Sequence, residues 1–185
     1  MDDIVLGPRH SALLEIVVPF RIIVLVKQVI DPEMPISAFQ VDEGLQDVVT
    51  PPHVPPVLNG FDENAVEAAL RIKDRQEAEI TVVSLGQSFA LDVIKKPLSM
   101  GCDNLVLVED PSLSNTIDST LTASLLASTV RKLGIPDLIL CGRQASDWDN
   151  AQVPLMIAEF LNLPCITVAK HLEVAENLIV VQKHT

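Results

Sequence analysis

Aromatic residues are scarce in this chain: no tyrosine, one tryptophan and five phenylalanines in 185 residues. So thin an aromatic set argues against a surface that stacks nucleic-acid bases. Basic residues are also in the minority, 13 against 25 acidic, for a formal net charge of −12. A protein that grips phosphate backbones over any length needs the opposite balance. The three cysteines (Cys102, Cys141, Cys165) have no CxxC spacing and the four histidines are scattered, so neither a zinc site nor a disulfide framework is indicated. A reduced, cytoplasmic setting is expected. Several nucleotide motifs are missing too. No G-x-G-x-x-G follows the first apolar run, no G-x-x-x-x-G-K-(S/T) occurs, and there is no Ser-Gly-Gly-x-Asp-Ser loop. The first run leads instead into Gln28-Val29-Ile30-Asp31-Pro32, which has no glycine to let N–H groups close around a pyrophosphate. Nucleotide hydrolysis and adenylation are therefore minor possibilities.

Aliphatic residues are what the chain does have. Apolar residues make up 48% of it, enough for one domain with a sizeable core. Residues 13–26 are apolar, but Glu15, Pro19 and Arg21 interrupt them, and about 18 uninterrupted apolar residues are needed to span a bilayer. No membrane insertion is expected. Residues 21–29 read as a central parallel strand, apolar on both faces. Residues 31–59 are rich in proline, which excludes a long helix and leaves loop or short edge strand. Residues 62–73 carry an apolar stripe at helical spacing, with Asp62 placed as N-cap. Strands are expected at 79–85, 104–109, 135–141 and 164–170, and helices at 88–100, 116–133 and 155–161. A final strand or hairpin should occupy 172–182, with Glu176-Asn177 at its turn. Pro97 should shorten its helix and Gly101 should end it. This alternation implies a three-layer α/β/α, doubly wound fold with a mostly parallel, five-stranded Rossmann-like sheet. There is no internal repeat and no dividing linker.

The stretch 141–156, CGRQASDWDNAQVPLM, is the candidate site. A buried strand ends at Gly142, a polar loop follows, and an apolar helix resumes, which is where open α/β sheets bind ligands. The helix start offers N–H groups to a phosphate. Asp147 and Asp149 would repel a phosphate and suit sugar hydroxyls, adenine amino groups or backbone N–H groups. A capped turn with solvated acids is the other reading of the same residues. No nucleophile-plus-base set stands out, because Ser146 beside Asp147 has no nearby histidine. Lys27, at a strand end, reads as solvated or as a phosphate or partner contact. Trp148 reads either as a loop aromatic or as a flat partner for adenine or another subunit. Cys141 reads as a small core residue.

Gly142-Arg143-Gln144-Ala145 with Asp147, Asp149 and Gln152 resembles the G-(R/K)-Q-A-x-D-x-D-x-x-Q signature of the electron-transfer flavoprotein beta subunit family, FixA proteins included. Three further segments are similar to that family and in its order: IIVLVKQV at 22–29, NGFDENAVEAAL at 59–70 and LSMGCD at 98–103. The resemblance runs from Arg21 to the C-terminus, which leaves residues 1–20 as an N-terminal extension and residues 21–185 as the nucleotide-binding domain. It implies an electron carrier, not a stand-alone catalyst, that pairs with an alpha subunit and serves flavin dehydrogenases. FAD would sit mostly on alpha, with AMP or a second FAD in this chain. The site it implies comprises Leu25, then Asn59, Gly60, Phe61 and Asp62, then Leu85 and Gly86. To these it adds Cys141, Gly142, Arg143, Gln144, Ala145, Ser146, Asp147, Trp148, Asp149, Asn150, Ala151, Gln152, Val153, Pro154, Leu155 and Met156. Phosphate is expected over the N–H groups near 150–153. The sequence departs from the family at Gly60, where proline is usual, and at Trp148, Ala151 and Pro154. Members typically continue past the equivalent of Thr185, so the chain reads as truncated and should expose apolar surface. The alternatives are a stand-alone adenine-nucleotide-binding module of the stress-protein kind and an inactive truncated paralogue.

Overall fold

The computed structural model describes residues 19–44, 47–49, 51, 54–113, 118–175 and 178–183. In chain order the elements are β1 (Phe20–Leu25), β2 (Gln28–Val29), a 3-10 turn (Ile36–Ala38), β3 (Gln40–Asp42), β4 (Asp47–Val49), β5 (Val57–Leu58), α1 (Gly60–Lys73), β6 (Ala78–Gly86), α2 (Leu91–Ile94), α3 (Lys96–Met100), β7 (Asn104–Glu109), α4 (Ser119–Leu133), β8 (Leu138–Cys141), α5 (Val153–Leu161), β9 (Ala169–Ala175) and β10 (Leu178–Lys183).

β1 is the centre of the molecule, with alternate residues feeding two cores. Ile22, Val24 and Val26 join Ile80 and Val82 of β6 against Ala65, Val66, Ala69 and Ile72 of α1 and Ile94 of α2. Ile23 and Leu25 face the other way, with Val83, towards Ala123, Leu126 and Val130 of α4 and Ile157 of α5. Each such aliphatic side chain stabilises the fold by about 1.5–3 kcal/mol through burial, so a strand apolar on both faces has to lie in the middle of three layers. The sheet runs β7-β6-β1-β8 and all its pairings are parallel. The chain winds outward from β1 through β6 to β7, then returns by α4 to β8 on β1's other side. The direction of winding reverses between β1 and β8.

The α/β, three-layer, doubly wound architecture is the one expected, but the parallel sheet has four strands instead of five. Residues 163–167 are irregular. Asn162 leaves α5 in the left-handed conformation, Pro164 has no N–H for a ladder, and Val168 (φ +58) turns the chain again. The strand that follows, β9, pairs antiparallel with β10 as a hairpin. Its proposed turn, Glu176-Asn177, lies outside the described residues, as do residues 1–18 of the expected extension. The helix expected over 88–100 is two short ones, α2 and α3, with Pro97 in the first turn of α3. Gly101 ends α3 with a φ of +122. The helix expected at 116 begins at Ser119, where Asp118 caps it by accepting the Thr120 N–H at 3.0 Å. The proline-rich excursion forms only short pieces, β2 with β5 and β3 with β4.

Candidate functional site at the carboxyl ends of β1 and β8

β2 and β5 pair Gln28 with Leu58 and Val29 with Val57, so the long excursion returns beside its own starting point. The Asn59 N–H then donates to the Lys27 carbonyl at 2.9 Å, and α1 starts at Gly60. Helix α1 therefore begins within reach of both central strand ends. Asp62 was expected as its N-cap, and that placement is corrected: Asn59 is the cap residue, and its side chain makes no capping bond. Both side chains turn to the site loop instead. Asn59 is 1% exposed. Its Nδ2 donates to the Gln144 carbonyl at 2.8 Å, and its Oδ1 accepts the Ser146 N–H at 3.2 Å. Asp62 accepts the Lys27 N–H on Oδ2 at 2.8 Å and the Gly142 N–H on Oδ1 at 3.1 Å. One turn of helix thus joins the end of β1 to the loop after β8.

Gly142 is needed because of this join. A Cβ there would lie 2.3 Å from Asp62 Oδ1, 2.7 Å from the Phe61 carbonyl carbon and 2.8 Å from the Asp62 nitrogen. Its N–H is bound to Asp62, so its role in this structure is close approach and not open anion binding. Gly60 is different. An added Cβ would meet nothing within 4 Å, and the first helical position suits proline equally well.

The second half of the loop is more exposed. Lys27 Nζ bonds Asp147 Oδ2 at 2.6 Å, Gln144 Nε2 bonds Asp149 Oδ1 at 2.6 Å, and the Asp149 N–H donates to the Ala145 carbonyl at 2.9 Å. Both aspartates therefore have partners within the protein, and Lys27 is ion-paired. Trp148 is 53% exposed. Asp149 and Ala151 both have a φ of +51, the left-handed region. α5 then starts two residues earlier than expected, at Val153, which puts Pro154 in its first turn, where a missing N–H costs nothing.

Burial pushes the Asp62 carboxyl up to about 6, against the opposing effect of its hydrogen bonds and of the Lys27 charge. Burial also pushes the Cys141 thiol far above its usual range, which leaves it an inert core group and no nucleophile.

Most of the expected residues fall into four groups. The structure brings together Asn59, Phe61, Asp62, Gly142, Gln144, Ala145, Ser146, Asp147 and Asp149. Leu25 and Met156 pack in the core beneath them, while Arg143, Asn150, Gln152 and Leu155 are exposed around them. Leu85 and Gly86 end the neighbouring strand at the same sheet edge. One site-forming residue had not been singled out. Gln28 donates to the Ser88 carbonyl at 2.8 Å and accepts the Ala90 N–H at 3.0 Å, fixing the loop after β6. Its only signal was its place in the first family-like segment.

A four-stranded parallel sheet with its winding reversal beside a tethered glycine loop is a doubly wound α/β architecture, the kind that receives ligands at the carboxyl ends of its strands. The family model described as the electron transfer flavoprotein domain matches residues 48–185, and the chain belongs to that family. It is 42% identical over 137 residues to an electron transfer flavoprotein subunit beta of Megasphaera elsdenii, covering 70% of this chain and 50% of that one. It is 33% identical over 167 residues to the subunit beta of Thermoanaerobacterium thermosaccharolyticum, covering 88% and 60%. Over 122 residues it is 39% identical to the protein FixA of Azorhizobium caulinodans, covering 63% and 43%. The chain spans about half the length of these curated relatives. No helix among the described residues is long and apolar enough to cross a membrane.

Proposed function

We propose that this chain is the nucleotide-holding part of an electron-transfer flavoprotein beta-type subunit. Residues 21–185 form the domain and residues 1–20 an extension. It works as an electron carrier in the cytoplasm beside an alpha subunit, serving flavin dehydrogenases, and does not catalyse a reaction alone. The loop 142–152 holds the adenosine monophosphate moiety that AMP and FAD share. A bound FAD would supply reversible electron acceptance, whereas AMP would be structural.

The observation that carries this reading is the backbone of 151–153. Ala151 is left-handed and Gln152 is in the helical region (φ −103, ψ −39), immediately before α5. Successive residues of opposite hand turn their N–H groups towards one point, a concavity that suits an anion, and the helix start adds to it. The helix terminus contributes roughly 0.3–1 kcal/mol, up to ~2 when partly buried, so several N–H groups must act together. The net charge of −12 supplies no long-range attraction for an anion. Gln144, Asp147 and Asp149 are the side chains placed to meet sugar or base, each using one polar atom for its present partner. The test is the nucleotide content of a denatured extract of this chain co-expressed with an alpha-type subunit. Two flavins per pair, or one flavin plus AMP, support the reading and choose the ligand. One flavin with no other nucleotide overturns it.

A further inference from the structure

At the amino ends of the strands, opposite the ligand loop, the sheet has a second opening. A cleft of about 350 Å³ lies between the end of α4 and the starts of β6 and β7, with Ile23, Thr81, Val106 and Leu133 among its walls. The helices on this face, α4 and α5, gather over the middle of the sheet. Ile23 and Val83 are buried beneath them, whereas Val106 on the edge strand β7 is only half-buried. A pocket that orients a small polar ligand needs polar groups converging on it, and the polar side chains here are mostly engaged with the protein. Arg21 Nη2 donates to the Leu133 and Gly134 carbonyls at 3.0 and 3.3 Å, closing the end of α4. Asn104 Nδ2 donates to Glu79 Oε1 at 2.9 Å. What remains is an aliphatic wall, and the occupant it favours is aliphatic.

The chain carries such a segment at the right place. Residues 12–18, ALLEIVV, hold six apolar residues and one charge, Glu15. They lead through Pro19 into β1, whose second residue, Arg21, is itself part of the cleft wall. Phe20 fixes this entry by donating its N–H to the Glu77 carbonyl at 3.0 Å, beside the start of β6. We propose that residues 12–18 dock into this cleft and cover the amino half of β7 and the end of α4. Seven residues reach at most about 25 Å, and the cleft begins two residues beyond Pro19, so span is no obstacle. The tether also decides between occupants. A segment joined to the protein this close to its seat is present there at a far higher effective concentration than any free partner or second copy.

Glu15 provides the test. A glutamate-specific protease cuts after it, and release of residues 1–15 from the full chain is followed by mass. The docked site should be cut about tenfold more slowly than the same bond in a free peptide of residues 9–22, because cutting waits on undocking. The rate should not change on dilution, since the contact is intramolecular. Ile16→Asp, which spoils the segment, and Thr81→Phe, which fills the cleft, should each restore fast cutting at Glu15. Ile16→Asp alters no residue of the cleft or the sheet, so it decides the matter if Thr81→Phe fails to fold. Wild-type cutting as fast as in the peptide overturns the proposal. So does protection that is lost on dilution, which would seat a second copy in the cleft, or protection that appears only with an alpha-type subunit present. A folded Thr81→Phe chain that stays protected while Ile16→Asp does not would place the segment elsewhere on the protein, and the cleft would not be its seat.

Discussion

The loop after β8 has two halves made on different principles. From Cys141 to Ser146 it is fastened by buried side chains from outside the loop, Asn59 and Asp62, through three backbone bonds of 2.8–3.2 Å. From Asp147 to Gln152 it is held by side-chain pairs nearer the surface, Lys27 with Asp147 and Gln144 with Asp149, and contains two left-handed non-glycine residues. The first half is fixed by what it packs against, and the second keeps a costly shape at the surface. A backbone held in a sparsely populated region persists only where its surroundings over-determine it. Here those surroundings are the fastened half on one side and α5 on the other. Rigid and strained segments thus share one loop, and the N–H groups proposed to meet an anion fall in the strained part.

The comparison is broken most severely by Gly142→Ala. The added Cβ meets Asp62 Oδ1 and the Phe61 backbone at 2.3 and 2.7 Å, and no side-chain rotation relieves contact with backbone. A loss of about 3 kcal/mol is expected from forced overpacking, read by chemical denaturation, together with loss of nucleotide. Asn59→Ala comes next. It leaves a Gln144 carbonyl and a Ser146 N–H without their partner in a part-buried setting, at about 2–3 kcal/mol. Asn59→Asp should be no better, since its second oxygen would face the Gln144 carbonyl. If Asn59→Asp melts like the wild type, the Nδ2 bond contributes nothing. Lys27→Met tests the exposed half. Its Lys27–Asp147 partner pair is partly solvated (42% and 18% side-chain exposure), so less than about 1 kcal/mol of stability should be lost. Faster amide exchange over 147–152 with little change at 141–146 would sharpen the contrast. Equal loosening in both halves would erase it.

The apolar strands, the alternation of strands with helices and the position of the loop were all legible, because each depends on local pattern. The fastening of the loop was not. Asn59 and Asp62 are 80 residues or more from their partners in the loop, and nothing local to α1 distinguishes an N-cap aspartate from one reaching across to another strand. The Lys27 partner of Asp147 is likewise 120 residues away, whereas Asp149 is engaged locally, by Gln144 five residues earlier. The fifth strand failed for a physical reason that single residues carry. A run from Pro164 to Lys170 has strand composition, but left-handed turns at Asn162 and Val168 and the missing proline N–H take it off the sheet edge. Its continuation, the hairpin β9–β10, leaves Leu178, Ile179 and Val180 at 69%, 40% and 56% exposure.

The smallest effect should have the opposite sign. Ala151 sits at φ +51, where an L-residue's Cβ crowds the following carbonyl. That conformation costs roughly 1–2 kcal/mol for alanine and almost nothing for glycine. Glycine loses more chain entropy on folding, about 0.5–1 kcal/mol relative to alanine. Ala151→Gly should therefore stabilise the protein by no more than about 1 kcal/mol, seen as a small rise in melting temperature. Because the backbone keeps its shape, the N–H groups of 151–153 still converge and nucleotide content should be unchanged. Ala151→Pro makes the matching negative control, since proline fixes φ near −65° and cannot adopt the left-handed turn. It should empty the site while leaving the Asn59 and Asp62 fastening, and the protection of the Gly142 amide, in place. If Ala151→Gly instead destabilises the chain, the left-handed turn at 151 is not the strained element, and the anion site must be sought elsewhere along the loop.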